Sequence, residues 1–144
     1  MKEDAKEAIN LPVKKDEFSQ KRRVGWAVIG VIILVIEIYI AIFIKGGFIR
    51  HYIGDVLATA MLYAFGRAIF RVAPINLAIF VFVISLFIEA LQYLKILEIL
   101  GVKSSILRII FGGTFDWADI IYYLVGCILA YMFENLSMQK SKAH

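Results

Sequence analysis

Cysteine, proline and histidine are scarce in this 144-residue chain, at one, two and two residues. The lone Cys127 excludes an internal disulfide and any cysteine-built metal site. His51 and His144 are too few for a histidine metal centre, and no HExxH, GxSxG or phosphate-loop motif occurs. No catalytic residue, cofactor or metal is therefore expected. Charge is also thin, at 19% of residues, against 61% hydrophobic and a mean hydropathy of +0.79. Those values exclude the ordinary soluble globular class and point to an integral membrane protein. The net charge of +4 and pI near 9.2 do not imply a nucleic-acid partner, because the basic residues flank apolar runs and form no stripe of their own.

What is abundant is apolar length. Four stretches, at about 24–44, 54–70, 75–97 and 117–136, read as membrane spans, the second short unless its neighbours shield its ends. The expected architecture is all-α, an integral membrane four-helix bundle. Residues 1–23 and 137–144 read as polar tails, with Pro12 breaking any long helix in the first. No small-x-small site follows the first apolar run, which argues against a cleaved signal peptide. Gly46-Gly47 reads as its terminator, and Pro74 suits the first turn of the third helix. The piece SSILRIIF between Gly101 and Gly112 is too short to span and carries Arg108; it reads as a short interfacial or re-entrant helix before the last span, on the outer face.

Lys and Arg set the orientation. With four spans and both termini on one side, the tails and the Arg67/Arg71 turn hold 11 of them and the opposite side 5, so both termini are expected in the cytoplasm. Lys21-Arg22-Arg23 would meet anionic headgroups there, and Arg67 and Arg71 would snorkel to the same surface.

Glu89 and Gln92 stand out because they lie inside an apolar run, where a carboxylate costs several kcal/mol unless it faces protein or water. At i, i+3 they share a helix face with Ser85 and Tyr93. Antiparallel folding sets Glu37, on a face with Trp26, Gly30, Ile33 and Ala41, at similar depth, about 10–12 Å below the outer end. Asp55, Asp116 and Asp119 join them at the outer rim, beside Arg50, His51 and Arg108, with Tyr93, Tyr122 and Tyr123 around. Arg50 and Arg108 are the expected counter-ions. Local alternatives stay open: Asp55 and Asp116/Asp119 also have helix-cap spacing, and the whole network also serves as glue between helices. Gly126 and Ala130 form a small-xxx-small packing pair. The inner half offers mainly Arg67 and Asn76, too little for a continuous proton path.

Taken together, Arg50-x-x-x-Gly54-Asp55, Glu89-x-x-Gln92, Arg108, Thr114-Phe115-Asp116-Trp117-x-Asp119 and Gly126 resemble an uncharacterised family of small bacterial membrane proteins. That family is in turn similar to VanZ-type proteins, to which Glu89, Gln92, Arg108, Asp119 and Gly126 would correspond. Tyr123 departs from that pattern, which has Asn there. The resemblance implies a bacterial inner (plasma) membrane location and an envelope-protective role. The expected function is binding of a membrane lipid, an envelope lipid precursor or an amphiphilic antibiotic in an outward-facing polar pocket. The rivals are a structural or accessory subunit that joins a membrane protein partner, and a small proton-coupled transporter or membrane enzyme.

Overall fold

The computed structural model describes residues 2–44, 47, 49–95, 99–101, 103 and 116–142, with side chains for 19–44, 47, 50, 52–95, 99–101, 103 and 116–140. Among the described residues four α-helices stand out: α1 (Lys2–Phe43), α2 (Gly54–Ile69), α3 (Pro74–Tyr93) and α4 (Trp117–Lys142), with a π-helical turn, Ile49–Ile53, leading into α2. Ser19–Phe43, Pro74–Tyr93 and Trp117–Lys140 are each long and apolar enough to cross a bilayer. Their outer faces are apolar too, as at Val28, Val35, Ile79, Val83, Ile121 and Ile128, all exposed. That surface suits hydrocarbon, where backbone groups must be satisfied within the helix itself. The chain is an all-α membrane protein.

Three boundaries differ from the sequence reading, one of them the end of α3, which stops at Tyr93 with Leu94 and Lys95 in a turn where a helix to 97 is expected. Helix α1 runs through Pro12, where a break was expected, and joins the polar N-terminal stretch to the first apolar run as one rod. One proline removes a single i to i−4 bond, and the surrounding Lys, Glu, Ala and Leu are strong helix formers that hold the turns on either side. Helix α4 likewise extends to Lys142, past the expected limit at 136. Pro74 does occupy the first turn of α3. Gly47 has φ +93°, a left-handed conformation that a Cβ would disfavour, just beyond the end of α1. Gly46 and the expected interfacial helix, with Arg108, lie outside the described residues.

The shortest helix is the central one. At 16 residues α2 is about 24 Å long, and it packs against α1, α3 and α4. Lipid tails are as apolar as the side chains, so close packing, and not hydrophobic burial, must hold membrane helices together. A glycine serves each of the three interfaces. A Cβ on Gly30 would stand 2.9 Å from the Phe65 ring, and one on Gly66 would stand 2.9 Å from Leu77. At Gly126 it would overlap Thr59 Oγ1 and lie 2.7 Å from the Val56 carbonyl oxygen, so α4 meets the backbone of α2 there. Ala130, one turn on, is buried in the cluster of Trp26, Tyr63, Ala64, Leu77 and Cys127.

Candidate functional site

Two polar clusters occupy opposite ends of the bundle. The outer one draws one carboxyl from each helix: Glu37 from α1, Asp55 from α2, Glu89 from α3 and Asp119 from α4. The other three all lie within electrostatic reach of Asp55, Asp119 nearest in effect. Glu89 is 1% exposed and accepts a hydrogen bond from Tyr123 O–H at 2.8 Å. Ser85, one turn below Glu89, is buried and donates to the Val81 carbonyl. Glu37 Oε1 and Asp55 Oδ2 are buried with no hydrogen-bond partner among the described residues. Among the described residues no three of His, Cys, Asp and Glu are placed to share a metal ion.

Local structure explains how these side chains turn inward. Asp55 does not cap α2: the cap position is Ile53, in helical conformation because the π turn runs straight into α2, and no side chain bonds there. Asp55 is thereby left one residue inside the helix, facing its neighbours. Asp116 does cap α4, its Oδ1 accepting from Ala118 N at 3.0 Å, which leaves Asp119 free of capping duty. On α1 the buried and half-buried positions Trp26, Gly30, Ile33 and Glu37 follow helical spacing, whereas Ala41 is exposed.

The remaining expected residues lie further out. Gln92 is half-buried, Tyr93 is exposed, and Arg50 is exposed on the π-helical turn. Arg108 lies outside the described residues, and so does the side chain of His51. Tyr52 stacks on Tyr122 with ring centroids 4.4 Å apart, closing the rim of the cluster. Its phenol pKa is raised, by desolvation first and then by the negative charge of Asp116.

The inner cluster was not anticipated. Glu134, fully buried, accepts from Tyr63 O–H at 2.5 Å, Arg67 Nε at 2.5 Å and Arg22 Nη2 at 3.2 Å. Arg67 therefore does not snorkel; it turns into the bundle and also donates to the Val72 carbonyl. Arg23 donates to the Ala68 carbonyl at 2.7 Å, at the C-terminal end of α2. The sequence carries one signal for this pairing, an acid and an arginine each one turn inside the same end of neighbouring spans, but either also reads as a headgroup anchor.

A family described as "Protein of unknown function (DUF2809)" matches residues 44–127. The chain belongs to that family. No curated protein and no solved structure matches. The region shared with DUF2809 contains Asp55, Glu89, Asp119 and Tyr123, so most of the outer cluster lies within it. Glu37, and from the inner cluster Arg22 and Glu134, lie beyond its limits.

Proposed function

We propose that this DUF2809 protein binds the headgroup of an envelope lipid, a lipid precursor or an amphiphilic antibiotic at the outer carboxyl cluster, without catalysing a reaction on it. The reading rests on one observation: a carboxyl from each of four helices converges, and Glu37 Oε1 and Asp55 Oδ2 are buried without a partner among the described residues. An orphaned acceptor in a low-dielectric region is costly, and a headgroup amine or hydroxyl would supply the donors. The wider reading is a bacterial plasma-membrane protein of four spans with both termini cytoplasmic. In it α2 counts as a span because the other three helices shield its ends. The resemblance to VanZ-type proteins, through Glu89, Gln92, Asp119 and Gly126, favours an envelope-protective role.

Glu89→Gln in the full chain tests the reading by native mass spectrometry of co-purified lipid. Binding predicts a folded variant that has lost its retained molecule. The structural rival has its own support, since the Tyr123–Glu89 hydrogen bond joins α4 to α3. It predicts that the variant fails to accumulate and that the parent retains nothing specific. A proton or solute flux in proteoliposomes would favour the transporter reading instead. A reporter fused after His144 should be active only in the cytoplasm; a periplasmic signal would overturn the four-span count.

A further inference from the structure

A well-formed cavity opens at the other end of the bundle. It has a volume of about 330 Å³, between α1 and the turn from α2 to α3, and its wall includes four arginines, Arg22, Arg23, Arg67 and Arg71. Trp26 and Phe70 supply the apolar part of the wall. The volume equals that of roughly ten liquid waters, enough for a lipid headgroup. Glu134 neutralises one of the four guanidinium charges, which leaves a local excess of three among the described residues.

Three of the four arginines are already positioned. Arg22 and Arg67 are fixed on Glu134, and Arg23 is fixed on the carbonyl end of α2. Each guanidinium has five N–H donors in a planar fork, so every one retains donors after making these bonds. Arg71 is exposed and makes no hydrogen bond or ion pair among the described residues. An array of prepositioned forks matches the tetrahedral oxygens of a phosphate better than it matches a single carboxylate. The cavity also lies just before the apolar run of α1, which begins at Val24, and this is the depth of lipid phosphates in a bilayer.

We propose that this cavity is a specific binding site for a phosphate group, presented by an anionic phospholipid of the adjoining leaflet or by a free phosphate. It is separate from the outer cluster and does not depend on what binds there. Its partner is a single seated phosphate, which distinguishes it from the diffuse attraction of basic flanks to a charged surface.

The experiment uses the full chain in nanodiscs of phosphatidylcholine alone or with phosphatidylglycerol. Retained lipid is read by native mass spectrometry and thermal stability by intrinsic fluorescence. The parent should retain phosphatidylglycerol and melt higher in its presence. Arg71→Gln should reduce retention about fivefold while melting normally in phosphatidylcholine, and Arg71→Lys, which keeps the charge but not the fork, should lose part of it. Lys95→Gln, an exposed basic residue at the opposite end, should change nothing. Adding inorganic phosphate to the phosphatidylcholine discs separates the sources: stabilisation that Arg71→Gln removes identifies free phosphate, and its absence identifies the lipid. Equal losses for Lys95→Gln and Arg71→Gln, or no stabilisation by either phosphate source, would overturn the site.

Discussion

Replacing Glu134 by Gln changes almost no volume and removes one charge from the centre of the inner cluster. The carboxylate accepts three donors, from Tyr63, Arg67 and Arg22. An amide offers one oxygen and turns an N–H₂ toward at least one of those donors. Breaking a buried ion pair from one side costs about 3–5 kcal/mol. That range shrinks here, because the Arg22 side chain is 38% exposed and can turn to water. The Arg67 side chain, 15% exposed, has less freedom to do so. The expected loss is about 2–4 kcal/mol, or about 6–12 °C in melting temperature for a chain of this size. Trp26 reports it directly, since its ring meets Tyr63 and Phe133 edge-on at 5.8 and 5.9 Å. The other tryptophan, Trp117, is exposed and can be replaced by Phe to leave one fluorophore. A double-mutant cycle with Arg67→Gln completes the test. If the two residues act as one unit, their combined loss is smaller than the sum of the single losses by at least about 1 kcal/mol. Melting of Glu134→Gln within about 1 °C of the parent, or strict additivity with Arg67→Gln, would refute the cluster as a source of stability.

Gly126→Ala is expected to cost about 1–3 kcal/mol through overlap with Thr59 and the Val56 carbonyl, with partial rescue by Thr59→Ala, which clears the hydroxyl but not the backbone oxygen. Thermal melting checks it, and a variant as stable as the parent would show that α4 does not pack this closely. Tyr123→Phe removes a buried donor to Glu89 and should cost about 1.5–3 kcal/mol, while Tyr93→Phe at the exposed surface should stay within about 0.5 kcal/mol. Equal effects from the two would contradict the assigned hydrogen bond. Asp116→Ala removes the cap on Ala118 N and should cost about 1 kcal/mol, with faster amide exchange confined to the first turn of α4.

The helices of this fold are largely written in apolar length, and the acids that interrupt it point to one end of the bundle. Glu37, Asp55, Glu89 and Asp119 could be placed together from sequence because each lies within a turn or two of the same end of its helix. Whether a terminal acid caps or packs was not readable. Asp55 and Asp116 both have cap spacing in the sequence, but the π turn before α2 takes the cap position from Asp55, whereas Asp116 accepts from Ala118 N. The inner cluster was hidden for a related reason. Arg67 and Glu134 are 67 residues apart, and each alone satisfies the rule for a charge at a span's end. Only the contact between α2 and α4 shows that they face each other.

Helix α2 ties the two ends together. Asp55 is in its first turn and Arg67 in its last, about 18 Å apart along the axis. A helix carries partial positive charge at its N-terminus and partial negative charge at its C-terminus. Asp55 and Asp119 thus sit at the helix ends that favour them, and Arg23 bonds the Ala68 carbonyl at the far end of α2, whereas Glu37 and Glu89 lie near the C-terminal ends of α1 and α3 and owe their placement to packing. A longer α2 would move one of these groups out of reach of its partners on α1, α3 and α4. The three glycine contacts hold the short helix tightly against all three of its neighbours. Shortness, close packing and the segregation of charge are thus one arrangement, and any substitution that loosens a glycine contact should disturb both polar clusters at once.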